Sequence, residues 1–284
     1  MSGSPLANHR ENALATIFGR ANGVLIGMIH LLPIPGSPNY KGGGMKAILD
    51  RAAADADAYA AAGFDGLIVE NHGDIPFLKP EQLGPETAAY MAIVTDRLSQ
   101  QCGLPIGINV LANGARHALA IASAANAAFI RVNQWANAYV ANEGIIEGAA
   151  AEALRYRSAL RAEDLRVFAD AHVKHGAHAI VADRPIAELI RDVDFFSADV
   201  VIATGQRTGH AADADYLRLF RQATELPLLV GSGVTVENAQ AILSVVDGFI
   251  VGSAVKSGGV WWDPVDPQKA KALAQRARQG NTGR

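Results

Sequence analysis

The chain has 284 residues, half of them hydrophobic, with 25 basic and 28 acidic side chains and a formal net charge of −3 at pH 7. That length suits one (β/α)8 barrel, usually roughly 250 residues, and charges of both signs spread along the chain exclude the one-sided basic face that nucleic acid requires. The lone Cys102 excludes an intramolecular disulfide and a thiolate metal centre, and the longest apolar runs, Val24 to Ile29 and Ala118 to Ile130, fall short of the roughly 20 residues of a membrane span.

Residues 1–15 read as a flexible N-terminal segment without the apolar core of a secretory signal, which points to a cytoplasmic protein. From residue 16 to 280, short β-rich apolar runs alternate with Ala-rich helical stretches, the order of parallel strands joined by helices. Val24 to His30 is the first strand, followed by a helix over Met45 to Ala62. Gly66 to Glu70 is the second, followed by a helix over Glu86 to Gln101. Pro105 to Val110 leads to a helix over Ala115 to Ala124, and Ala128 to Val132 is the fourth strand. Arg166 to Ala171 precedes a helix over Pro185 to Val193, and Asp199 to Ala203 precedes one over Asp213 to Thr224. Pro227 to Val230 and Gly248 to Val251 close the series, with a helix over Val236 to Leu243 between them. Most of these runs lack polar alternation, as strands covered on both faces do. An open doubly wound sheet gives the same alternation, but eight regular units and no dinucleotide glycine fingerprint after the first strand favour a single closed TIM barrel.

Chemistry in such a barrel sits where the C-terminal strand ends converge. The polar residues there are His30, Glu70 with Asn71, Asn109, Arg131 with Asn133, Asp170 with His172 and Lys174, and Thr204. A purely structural barrel has little reason to end so many apolar runs with groups that are costly to bury. Asn71 and Asn133 also suit helix caps or turns, and Arg131 suits either substrate contact or a buried pair with Glu70 across the mouth. His30, Glu70, Asp170, Asn109 and Arg131 are the candidate catalytic residues, with Glu70 or Asp170 as base and His30 exchanging protons. Asn71, Asn133, His172, Lys174 and Thr204 are candidate substrate contacts.

After the seventh and eighth strands come Gly231-Ser232-Gly233 and Gly252-Ser253. These loops are a frequent phosphate site of the fold, where glycines let backbone N–H groups approach an anion; tight βα turns, with Thr235 as a cap, are the plainer reading. The Thr204 to Gly209 turn is small and polar. Two loops are long enough to be lids: Leu32 to Gly44, stiffened by prolines, and Asn133 to about Ala150, which carries Trp135, Tyr139 and Glu143. Trp261-Trp262 suits a subunit interface, the barrel bottom or a cover on the last loop. A homo-oligomer is expected. No cofactor is required by any motif, although Glu70, Asp170 and His172 form one set of ligands for a divalent metal.

The segments Gly27 to Pro38, Glu70 to Phe77, Gly107 to Leu111 and Phe129 to Asn133 resemble the BtpA/SgcQ family of TIM-barrel enzymes. Glu143 to Gly148, Leu154 to Arg157, Val173 to His175, Thr204-Gly205, Gly231 to Gly233 and Val265 to Pro267 extend the resemblance over nearly the whole chain. The chain departs from the family pattern at His72, where an apolar or amide residue is usual, and at Gly114, where an acidic residue often follows Asn113. The resemblance implies the same barrel and basin. Part of the family is named for photosystem I biogenesis, and other members carry only the provisional description of nucleosidase. Two classes of function follow. One is an enzyme on a phosphorylated sugar or nucleoside-like compound, acting as a nucleosidase-type hydrolase, lyase or isomerase. The other is a non-catalytic assembly factor for a membrane complex.

Overall fold

The computed structural model describes residues 11–204 and 214–279. Eight parallel strands close into a barrel: β1 (Val24–His30), β2 (Gly66–Glu70), β3 (Ile106–Asn109), β4 (Phe129–Val132), β7 (Arg166–Ala171), β8 (Val200–Ala203), β9 (Leu228–Val230) and β10 (Gly248–Val251). They pair in chain order, and β10 returns to β1. Each of the eight lies within one residue of its expected span. Between β4 and β7 the chain adds an antiparallel hairpin, β5 (Ala138–Ala141) and β6 (Gly144–Glu147).

Outside the barrel lie α2 (Gly44–Ala62), α3 (Pro85–Cys102), α4 (Ala115–Ala124), α5 (Ala150–Ala159), α6 (Ile186–Phe195), α7 (Ala214–Ala223), α8 (Ala239–Leu243) and α9 (Pro267–Gln279). Their apolar faces and the outward faces of the strands form the main core. A second core fills the barrel interior, where Phe129 and Phe168 stack with ring centroids 4.2 Å apart. Gly107 makes room for this pair, because a Cβ there would stand 2.2 Å from the Phe129 ring.

Residues 13–15, placed by the sequence in the flexible start, are helical. Asn12 caps α1 (Ala13–Phe18) by accepting from the N–H groups of Leu14 and Ala15. Ala13 and Leu14 are buried, and the Phe18 ring meets Phe129 and Phe168 edge-on at 5.8 and 6.5 Å. The helix therefore plugs the N-terminal mouth. Three aspartates just before strands hold the stagger at that end. Asp65, Asp199 and Asp247 accept from the N–H groups of Leu25, Val167 and Leu228 at 2.7–2.8 Å. Each thereby ties a strand start to its neighbour.

With one mouth sealed by apolar packing, the other is free for chemistry. The register places His30 beside Glu70, Glu70 beside Asn109, and Asn109 beside Arg131 as Cα partners. One level of the barrel is thus polar on four consecutive strands. No helix among the described residues is long and apolar enough to cross a membrane. The Gly205 to Gly209 part of the turn after β8 lies outside the described residues.

Candidate functional site

A cavity of about 560 Å³ opens at the C-terminal ends of the strands. Its floor includes Met28 and Ile250 from the barrel interior. Ten of the expected site residues line it: His30, Glu70, Arg131, Asn133 and Lys174, with Gly231 to Gly233, Gly252 and Ser253. The remaining five stand behind or beside this wall.

Arg131 grips Asp170, with Nε to Oδ1 at 3.2 Å and Nη2 to Oδ2 at 3.0 Å. The Asn133 amide donates to the same Oδ2 at 3.3 Å. Of the two readings of Arg131, the buried pair forms with Asp170, whose side chain is fully enclosed, and not with Glu70. A carboxylate held in this way positions Arg131, and it does not line the large cavity. Burial opposes the Arg131 charge, but the Asp170 and Glu70 carboxylates hold the guanidinium above its ordinary range. Gly231 lets Arg131 come close, since a Cβ there would lie 3.3 Å from Nη2.

Asn109 stands behind the cavity wall, donating to the Arg131 carbonyl at 3.0 Å and to Asn133 Oδ1 at 3.1 Å. Asn71 ties the second loop to the third by donating to the Leu111 carbonyl and accepting from the Leu111 N–H at 2.7 Å. Thr204 Oγ1 accepts from the Lys174 N–H at 3.2 Å, which fixes the backbone of the lysine that lines the cavity. His172 has φ near +60° and stacks on His178 at 3.9 Å, on the wall of a separate small cavity.

On the facing side, His30 and Glu70 meet a residue that the sequence marked only as a departure from the family pattern. Asn71 follows β2 with φ −79° and ψ 40°, and the chain enters a short 3-10 turn over His72–Asp74. That turn brings the His72 Nδ1 to 2.7 Å from Glu70 Oε2. His30 Nε2 lies 3.5 Å from the same oxygen. Among the described residues, His30, Glu70 and His72 are the set of side chains able to hold a metal ion, with ligand atoms all within 4.8 Å of one another. The expected set of Glu70, Asp170 and His172 is not assembled, because Asp170 is committed to Arg131 and His172 turns away.

Burial drives the His30 imidazole down to about 3, against the pull of Glu70, so the ring is neutral. Burial also disfavours charge on Glu70, but the hydrogen bond and charge of His72 outweigh it and hold the carboxyl at about 2. Trp261 roofs this group. Its carbonyl lies 3.0 Å from His30 Nδ1, and its ring centroid is 4.2 Å from that of His72. The tryptophan pair thus covers the last loop at the site, not the barrel bottom, and Trp262 is 57 % exposed. Phe77, centred 5.6 Å from His72, continues the aromatic wall. His72, Phe77 and Trp261 are among the lining residues that the strand-end reading missed, since none lies at the end of a strand.

The opposite rim is built by the second expected lid, which is a folded hairpin. Tyr139, Ala141, Asn142 and Glu143 line the cavity, and Tyr139 packs with Ile146 and Val173 in a small cluster of its own. Lys174 is half-buried, and burial together with the neighbouring Arg131 pulls its ammonium down to about 8.

A family model described as the BtpA family matches residues 21–279. An uncharacterized protein of Pyrococcus abyssi is 41% identical over 251 residues, covering 88% of this chain and 94% of its own. The photosystem I biogenesis protein BtpA of Synechocystis is 37% identical over 257 residues, covering 90% of this chain and 88% of its own. Among solved structures, a thiamine phosphate pyrophosphorylase from Pyrococcus furiosus superposes with a TM-score of 0.55 at 14% identity, over 92% of this chain and 98% of the other. At that identity the likeness extends to the barrel alone.

Proposed function

The chain belongs to the BtpA family, and we propose that its cavity is an enzyme site for a phosphorylated sugar or nucleoside-like molecule. One observation carries the reading: the turns after β9 and β10 share one cavity with Arg131 and Lys174. The Gly231 N–H is spent on the Ala203 carbonyl, but Gly233 and Gly252 leave out side chains where the main chain meets the cavity, so an anion can approach, and Ser232 and Ser253 add hydroxyls. Lys174 is held near a guanidinium at a cost to its own charge, and a bound phosphate relieves that cost. The thiamine phosphate pyrophosphorylase, by its name, handles a phosphorylated compound in a barrel of this kind.

The other half of the cavity suits the rest of such a substrate. His72, Phe77 and Trp261 offer flat surfaces to a ring, and Asn133 can hold hydroxyls. The ionised Glu70 and the neutral His30 supply charge and proton-accepting atoms next to the phosphate turn. Hydrolysis of a glycosidic bond, isomerisation and carbon–carbon lysis all draw on such groups. The assembly-factor reading rests on the name of the Synechocystis relative, and it gives no role to buried charges around a cavity.

The test is calorimetric titration of the full chain with ribose 5-phosphate and with inorganic phosphate. Lys174 is charged below about 8 and neutral above it, while a phosphomonoester, with its second pKa about 6, keeps nearly the same charge from pH 7 to 9. Affinity is therefore present at pH 7 and falls by up to about tenfold at pH 9. Lys174→Met flattens that profile, and Ser232→Asp abolishes binding by like-charge repulsion. Equal affinity at both pH values, or undiminished binding by Ser232→Asp, would refute the proposal.

A further inference from the structure

We propose that His30, Glu70 and His72 form a binding site for a borderline divalent transition metal such as zinc or cobalt, with an open coordination position facing the cavity. The proposal stands on the arrangement of donor atoms and is independent of the phosphate reading.

The first observation is the orientation of His30. Its Nδ1 sits 3.0 Å from the Trp261 carbonyl oxygen, an acceptor only, so Nδ1 carries the hydrogen. The other ring nitrogen, Nε2, is turned away from that carbonyl and faces Glu70 Oε2 at 3.5 Å. One ligand atom from each of His30, Glu70 and His72 thus lies within 4.8 Å of the others, gathered at the cavity wall. A histidine that donates from one ring nitrogen to a backbone carbonyl and presents the other to a ligand is the usual outer-shell arrangement of a metal site.

Distance and donor type agree with this. Two donors held 2.0–2.1 Å from one tetrahedral zinc stand about 3.4 Å apart, close to the His30–Glu70 separation. His72 Nδ1 is 2.7 Å from the same oxygen, a hydrogen bond in the metal-free state. It has only to give up that hydrogen and retreat by less than about an ångström to complete the set. The His72 side chain is 27% exposed and rides on a three-residue turn, so this movement disturbs no core. Two imidazole nitrogens and one carboxylate suit zinc, cobalt, iron or manganese, whereas calcium and magnesium take oxygen ligands.

The ligands come from the end of β1, the end of β2 and the turn that follows, so protein occupies one side of the site and the cavity the other. Three-ligand sites of this kind keep a position for water or a substrate oxygen. Gly252 brings the phosphate turn against the same group. A Cβ there would stand 2.9 Å from His30 Cε1, so a ligand anchored at that turn lies beside the open position.

The experiment uses full-length, chelator-stripped, tag-free protein titrated with Co2+ and followed by visible absorption, then with Zn2+ in competition. One equivalent should bind and give ligand-field bands, which zinc erases. His72→Ala should weaken uptake on the order of 100-fold or more while keeping the cooperative melt. Glu70→Gln should do the same, and His172→Ala, outside the set, should bind as the parent does. Absence of stoichiometric uptake would overturn the site, as would unchanged uptake by His72→Ala or dependence on His172. Neither result would bear on phosphate affinity, which is measured without metal.

Discussion

Arg131 and Asp170 bury opposite charges at the polar end of the barrel, and neither is tolerable there alone. With both side chains at 5% exposure or less, removing one partner leaves an uncompensated ion in a setting where such losses cost about 3–5 kcal/mol. Arg131→Met should therefore lower the urea midpoint by that equivalent. Arg131→Met with Asp170→Leu should recover most of the stability, because a matched apolar pair removes the orphaned charge, yet it should still fail to bind phosphate. Recovery of both properties would make Arg131 purely structural. The same scale shows what a sequence hides. Glu70 and His72 are two residues apart, as are Asp170 and His172, and the usual rule places such residues on one face of an extended strand. At the end of β2 a 3-10 turn folds His72 back onto Glu70. After β7 the φ of His172 is near +60° and its ring leaves the site for His178. Spacing alone carries no information about which backbone turn follows.

At the scale of the element, the hairpin of β5 and β6 is a separable wall. Its base is pinned where the Gly148 N–H donates to the Asn137 carbonyl at 2.7 Å, and Asn113 donates to the carbonyls of Gln134 and Glu147. The two ends are thus already adjacent, and the apolar cluster on top is distinct from the barrel cores. Replacing residues 138–147 with a short Gly–Ser turn should leave the cooperative melting of the barrel in place, because neither barrel core is opened. Affinity for ribose 5-phosphate should fall roughly tenfold as Tyr139 and the Asn142–Glu143 tip are lost, about 1.4 kcal/mol. A collapse in melting temperature would instead show that the hairpin holds up β4 and β7. The segment reads as a lid-length loop, not a hairpin, because each strand has only four residues, the least over which alternation can show, and its turn lacks the Asn–Gly signature. The Ala-rich α5 escapes attention for the opposite reason: its low polarity contrast blurs the helical stripe.

At the scale of the whole molecule, the eight strands are legible because burial on both faces forces continuous apolar runs bounded by polar ends, and that pattern needs no tertiary knowledge. Closure is legible too, from eight regular units without a dinucleotide fingerprint, but the contacts that make it are not, since they span the full chain. Arg51, Asp55 and Tyr59 lie four residues apart on one face of α2 and hold the seam. Tyr59 Oη is 3.2 Å from the carbonyls of Met28 and Val251, on the two strands that close the circle. Asp55 Oδ2 accepts from the fully buried Lys256 Nζ at 2.7 Å, and Oδ1 accepts from the Val265 N–H at 2.7 Å. Arg51 donates to the Trp262 carbonyl at 2.9 Å. These bonds fasten the segment that runs from the second glycine turn to the tryptophan over His30, so stability and site share one anchor. Burial pulls the Lys256 ammonium down and Asp55 opposes it, so Asp55→Ala leaves a lysine that must be neutralised or solvated. The expected loss is about 3–5 kcal/mol, a large part of the roughly 5–15 kcal/mol by which a protein is stable. The native state that remains should show altered tryptophan fluorescence and weaker phosphate binding, because Gly252 and Trp261 lose their support together. Asp55→Leu with Lys256→Met should restore the denaturation midpoint more fully than the binding, since an apolar pair replaces the buried charges but cannot accept from the Val265 N–H.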